Sequence, residues 1–228
     1  MFYLDREAEV LATSKSKDYN QALDWLIESR RSIRKFKPDT IPRQLVEQII
    51  RAGLLAPYSG LAVSRNDFRR FVVIPRESKS TVQIAALLKH RISNLCKQLE
   101  TQMEQNTFTK EHGQAFLQNL KTMSQHGIPN LGKAPYYIVV AEQRGIPPVE
   151  QRSLAHCMQN MWLKATALGV GFQLLSITAQ MAEDKEFCSL LDIPFGQFAL
   201  DGCLIGIADM IPPPSRRPRP DEVTKWID

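Results

Sequence analysis

Apolar positions along this chain fall into two periods, and their alternation predicts the order of elements. Residues 20–31 set Leu23, Leu26, Ile27 and Arg30 at helical spacing, and Pro38 then forbids continuation. Leu45, Val46, Ile49, Ile50 and Leu54 make a second helical stripe over 42–55, with Pro42 expected in its first turn and Ala56-Pro57 at its end. Two β-rich runs follow: Phe68 to Ile74, closed by Pro75, and Tyr136 to Ala141, opened by Pro135. Between them, 79–125 is rich in Gln, Lys and Glu, yet carries Leu87, Leu88, Ile92, Leu95 and Leu99 at helical spacing. It reads as a helical insertion whose second segment takes Thr109 as its cap.

The stretch 149–168 carries Leu154, Cys157, Met158, Met161, Leu163, Ala165 and Leu168, too apolar a set for a surface helix, and Gly169 is suited to stop it in the left-handed conformation. A short helix at 184–191 and a third strand at 200–208 complete the regular structure. The tail from Ile211, with the string Pro-Pro-Pro-Ser-Arg-Arg-Pro-Arg-Pro, cannot be regular because proline lacks the N–H that helices and ladders use. No repeat or low-complexity linker divides the chain. The expectation is one α+β domain over 20–228 containing the insertion at 79–125, preceded by an N-terminal extension, 1–19.

Composition narrows the class. With 43% hydrophobic residues, and 14 Pro and 11 Gly that show no period, the 228 residues are those of a globular protein and not of a fibrous or disordered one. No apolar stretch is long enough for a membrane span, and the charges in Met1 to Val10 do not fit a signal peptide, so the expected compartment is the cytoplasm with no membrane partner. Cys96, Cys157, Cys188 and Cys203 are widely spaced, with no zinc-like pattern, and no metal is expected. His156-Cys157 lies within a helix, where neighbours point apart, and reads as a core Cys beside a hydrogen-bonded His; Cys203 reads as a small buried apolar side chain. The net charge of +5 is mild, and its arginines are not interleaved with stacking aromatics, which argues against a nucleic-acid partner.

Where the positive charges cluster is more informative. Arg30-Arg31-Ser32-Ile33-Arg34 can converge guanidiniums and a hydroxyl on one phosphate, or can stay solvated at the negative end of a helix dipole. Arg216, Arg217 and Arg219 in the proline-rich tail can close over the same anion or remain a solvated tail. Ala56-Pro57-Tyr58-Ser59-Gly60 is either a small-residue turn suited to a flat ring or a loop that ends a helix. Gly169-Val170-Gly171 ends a helix where a dinucleotide fingerprint would open one, and Gly132-Lys133 lacks the rest of a phosphate loop. No side-chain nucleophile or acid–base pair stands out.

Taken in order, these pieces resemble the nitroreductase family of flavin enzymes. They are R-R-S-x-R-x-F at 30–36, A-P-Y-S-G at 56–60, the helix containing Asn160-Met-Trp-Leu-Lys-Ala-Thr-Ala-Leu-Gly-Val-Gly, the strand ending Ile205-Gly-Ile, and a basic proline-rich tail before Glu222-Val223-x-x-Trp226. The resemblance covers about 20–228 and implies a three-layer α/β/α fold with a central, mostly antiparallel sheet, in a homodimer that swaps its tails. It implies an FMN-dependent oxidoreductase working by ping-pong hydride transfer from NADH or NADPH, through flavin N5, to a small electrophile such as a nitroaromatic or quinone. A relative with another reaction, such as reductive dehalogenation or flavin remodelling, or a flavin-binding redox protein without turnover, would share these motifs. By the same resemblance Arg30, Arg31 and Ser32 contact phosphate and ribityl, Arg34 reaches the pyrimidine edge, and Arg217 and Arg219 are the tail's phosphate ligands. Leu175, Ser176 and Ile177 face the ring near N5, while Pro57, Tyr58, Ser59 and Gly60 arrive from the second subunit. Relatives often carry an Asn and Gln-Pro-Trp after the A-P-S turn, whereas this chain has Leu61-Ala62-Val63-Ser64-Arg65-Asn66-Asp67-Phe68. The expected acceptor mouth is therefore apolar, with the insertion as its outer wall.

Overall fold

The structure, a computed structural model, describes residues 14–58 and 67–227. Helices α1 (Ser14–Ser29) and α2 (Arg43–Leu54) lead to strand β1 (Arg69–Pro75). The insertion is three helices, α3 (Lys79–Gln105), α4 (Thr107–His112) and α5 (Gln114–His126). Strand β2 (Tyr136–Gln143), helix α6 (Glu150–Ala167), strand β3 (Gly171–Leu174), a 3₁₀ helix (Ser176–Glu183), α7 (Lys185–Leu190), β4 (Phe198–Gly206) and the single turn α8 (Pro220–Val223) follow.

The strands form one sheet in the order β1-β2-β4-β3, antiparallel at every pairing. Its central strands β2 and β4 are apolar on both faces because both faces are covered. Side chains alternate along a strand, so Ile138, Val140, Cys203 and Ile205 turn to one side and pack with residues of α2 and α6. Tyr137, Val139, Leu200 and Leu204 turn to the other and pack with the insertion, the 3₁₀ helix and α7. The result is the α+β, three-layer arrangement of helices on both faces of an antiparallel sheet.

Local chemistry explains most boundaries. Pro42 is the residue before α2 and does not sit in its first turn, since its ψ of 141° is extended. Asn106, not Thr109, caps α4: its side-chain oxygen accepts the Thr109 N–H at 2.9 Å, so Thr109 is the capped residue. Gly169 ends α6 at φ +68°, as its placement suggested. The first helix starts at Ser14, inside the stretch set apart from sequence as an extension. Helix α6 is not buried all round: Leu154, Cys157, Met158 and Met161 face inward, while Gln151, Arg152, His156 and Gln159 are exposed. His156 is thus a surface residue beside the buried Cys157. Gly53 lets α2 lie close on α6, because a Cβ there would stand 2.8 Å from Met161 Cγ and 2.9 Å from Cys157 Sγ.

On β4, burial pushes the Asp201 carboxyl up to about 6, opposed by its hydrogen bond from the Gly202 N–H at 2.8 Å. This folded value is above the unfolded one, so between about pH 4 and pH 6 the native chain retains a proton that the unfolded chain releases, and stability falls as pH rises through that window. Asp201→Asn keeps an acceptor for Gly202 and removes the titration. It is expected to be more stable than wild type by on the order of 2 kcal/mol at about pH 7, and to converge with it below about pH 4, as read from urea unfolding at both pH values.

Candidate flavin-phosphate cleft

Helix α1 stops at Ser29, so the arginine string does not occupy a last helical turn. It runs extended along the edge of the sheet instead. Ser32 bridges Phe172 of β3 in parallel, the Ile33 N–H donates to the Phe172 carbonyl at 3.0 Å, and Phe36 bridges Ala208. Ile33 is buried against Gly171, where a Cβ would meet it at 3.1 Å. Strand-like alternation then turns Ser32 and Arg34 away from Ile33.

Trp162 of α6 fastens this segment. Its Nε1–H donates to the Arg31 carbonyl at 3.1 Å, its ring stacks on Phe172 with centroids 5.0 Å apart, and the Arg30 guanidinium lies 4.2 Å above it. Arg31 Nη1 reaches the Glu28 carbonyl and, at 3.0 Å, the Arg30 carbonyl. The tail returns across the segment, so that Arg30, Arg31, Ser32 and Arg34 share a cleft of about 930 Å³ with Arg217. Glu28 also lines it, setting one carboxylate against four guanidiniums. Burial, and then the neighbouring charges of Arg31 and Arg217, depress the pKa of Arg30 from its ordinary value.

Not every expected residue joins this cleft. Arg219 donates to Asp221 at 3.0 Å and to Glu222 at 3.1 Å, the carboxylates of α8's own first turn, and does not line it. Leu175 is buried, its N–H bonded to the Gly202 carbonyl at 2.7 Å. Ser176 and Ile177 line a second, apolar cleft of about 420 Å³, between the 3₁₀ helix, α3 and α5. Pro57 and Tyr58 stand near β1, at the opposite edge of the sheet from the arginines; Ser59 and Gly60, with Leu61–Asn66, lie outside the described residues. Three inter-strand spacings, roughly 14 Å, separate the two edges.

A buried ion pair that sequence reading missed holds Pro57 and Tyr58 in place. Arg69 and Glu142 face each other across β1 and β2, with Nη2 2.6 Å and Nε 2.7 Å from Glu142 Oε2. Arg69 Nη1 also donates to the carbonyls of Gly53 at 2.8 Å and Ala56 at 3.0 Å, at the end of α2. Tyr58 donates to the Gln143 carbonyl at 3.1 Å, and its ring packs on Phe68. Burial raises the pKa of Glu142, while Arg69 and the Ser153 hydroxyl pull it down. The available signal was a charged residue at the end of each apolar strand run. The cysteines offer no nucleophile: all four are buried, and burial pushes Cys157 up to about 12 and Cys203 well above its ordinary value.

Residues 27–207 match the nitroreductase family. The chain belongs to that family. Among solved structures, a Bacteroides fragilis nitroreductase with bound FMN is similar at TM-score 0.65 and 16% identity, covering 92% of this chain and 100% of that one. A Desulfitobacterium hafniense nitroreductase with bound FMN gives 0.62 at 21% identity over 91% and 99%. The FMN-dependent nitroreductase NfnB of Mycobacterium smegmatis, in complex with NADPH, gives 0.60 at 17% identity over 92% and 100%. A search of curated proteins finds no match. These likenesses establish that the described residues carry the nitroreductase fold, in which no helix is long and apolar enough to cross a membrane.

Proposed function

We propose that this nitroreductase-family chain is an FMN-dependent oxidoreductase that passes reducing equivalents from NADH or NADPH to a small electrophilic acceptor, a quinone or nitroaromatic, in a ping-pong cycle. The observation that carries the reading is the cleft in which Arg30, Arg31, Ser32 and Arg34 meet Arg217. The fit is chemical. Guanidiniums give paired, charge-assisted hydrogen bonds to a phosphate monoester, Ser32 adds a hydroxyl, and the excess of arginine over carboxylate suits a dianion. A dinucleotide would want a helix N-terminus behind a glycine turn, whereas Gly169 ends α6.

In this reading Arg30, Arg31, Ser32 and Arg217 hold the phosphate and ribityl chain, and Arg34 takes the pyrimidine edge, where a cation raises the reduction potential. The backbone at Leu175–Ile177 borders the reacting edge. When bound, FMN supplies the hydride chemistry at N5, for which no side-chain acid or base is required. Pro57 to Gly60 complete the site from a second subunit; the sheet edge beside Pro57 and Tyr58 is too far from the same chain's arginines to do so within one subunit. Absorbance of the purified protein and identification of the flavin released on denaturation test this: FMN is expected, and FAD, or a colourless protein that ignores added FMN, ends the reading.

A homodimer also accounts for apolar surface left open in one chain: Leu23, Trp25 and Ile27 on α1, and Val223, Trp226 and Ile227 in the tail, are all exposed, Trp226 at 87%. Sedimentation at micromolar concentration is expected to show a dimer; a flavin-loaded monomer defeats this. The four free cysteines suit a reducing compartment, and we place the protein in the cytoplasm.

A further inference from the structure

The second cleft, beside Ser176 and Ile177, carries its own chemical signature. Leu95, Leu99 and Met123 are among its apolar lining, and its polar side chains are Gln98, Gln102, Ser176 and Gln180. Among the described residues, no charged side chain lines it. Gln180 stands on the 3₁₀ helix one turn beyond Ser176–Ile177, and its carboxamide is oriented by a neighbour outside the cleft: Arg91 of α3 donates from Nη2 to Gln180 Oε1 at 3.1 Å. A guanidinium has donors and no acceptor, so the oxygen of the amide must face it. What Gln180 retains for the cleft is its NH₂.

We propose that this cleft is the acceptor site and that Gln180 is its specificity-determining donor, selecting neutral molecules with an apolar body and a carbonyl or nitro oxygen. The proposal rests on the oxidoreductase reading above, which sets Leu175–Ile177 at the reacting edge. An apolar wall removes a flat ring from water, the lack of charged lining among the described residues gives an anionic acceptor no direct partner there, and an oriented N–H rewards an acceptor oxygen that a plain hydrocarbon lacks. In the overall exchange a quinone, a proton and NAD(P)H give a hydroquinone and NAD(P)⁺. Gln180 is unchanged by it: its hydrogen bond lies on the quinone oxygen that gains electron density.

Equilibrium binding to the oxidised holoprotein, without reductant, tests this apart from turnover. The probes are menadione and 2-methylnaphthalene, which share a ring body and differ in the two carbonyls. Wild type is expected to prefer menadione, and Gln180→Leu to weaken menadione roughly 3- to 10-fold while leaving 2-methylnaphthalene bound at least as well, a change on the scale of one neutral hydrogen bond. Arg91→Leu, which frees the amide to turn its oxygen into the cleft, should give a smaller loss with the same selectivity. Unchanged FMN content and melting temperature confirm that the variants are folded. If Gln180→Leu retains the wild-type preference, or wild type shows none, the proposal is overturned. A flavin-free protein whose preference still depends on Gln180 overturns the oxidoreductase reading and leaves the ligand specificity of the cleft standing.

Discussion

Arg69→Met is expected to destabilise the protein by about 3–5 kcal/mol, the range for removing one member of a buried ion pair. The side chains of Arg69 and Glu142 are 1% and 0% exposed. Without the guanidinium, Glu142 keeps its desolvation and loses its counter-charge, and the Gly53 and Ala56 carbonyls lose a donor. Its carboxyl pKa, already raised by burial, then rises further, so the deficit grows with increasing pH and shrinks where the group can hold its proton. Arg69→Met with Glu142→Leu removes both charges and should recover much of the loss. Urea unfolding of the single and double variants reads the effect; a single variant within about 1 kcal/mol of wild type would show that the pair is not holding the end of α2 against the sheet.

The second large effect concerns the arginine cleft. Arg217→Ala and Ser32→Ala should each weaken FMN retention about 10- to 100-fold, since a hydrogen bond to a charged group contributes about 1.5–3 kcal/mol. Arg30→Ala should do so as well, with an added loss from its stack on Trp162. Arg34→Ala should also lower the flavin's midpoint potential. Arg219→Ala is the internal control: Asp221 and Glu222 already occupy its guanidinium, so retention should stay near wild type. Flavin titration of the apoprotein variants decides the matter. Equal losses at Arg217 and Arg219 would show that the tail binds in another register.

The difference between these two arginines marks where sequence reading reaches its end. Helical stripes identified α2 and α6, and continuous apolar runs identified β2 and β4, because burial on one or two faces leaves a period in the residues themselves. Strand β3 left no such trace: Gly-Phe-Gln-Leu is too short to alternate, and its place depends on Cys203 and Leu204, some 30 residues on. The 3₁₀ helix after it was equally silent. Asn106 rather than Thr109 caps α4, a choice made by backbone geometry that spacing does not carry. The R-R-S-x-R motif was visible as chemistry, but its departure from α1 onto the sheet edge depends on Trp162 and Phe172, which are distant in sequence. Arg69 and Glu142 became partners only once the register of β1 on β2 was known.

The cleft joins parts of the chain that are roughly 180 residues apart, Arg34 and Arg217, and it does so with like charges. An empty cleft therefore pushes its two walls apart, whereas a bound dianion acts as a clasp between the first and last parts of the chain. Cofactor occupancy would then govern resistance to proteases. Trypsin does not cut before proline, so within Arg216-Arg217-Pro218-Arg219-Pro220 it has one bond to attack, between Arg216 and Arg217. Cleavage there should be rapid in apoprotein and slow with FMN bound, and each nicked chain would lose Arg217, one of the residues proposed to hold the phosphate. A reversible event, release of the bound dianion, would thereby open the tail to an irreversible one, the cutting of a peptide bond.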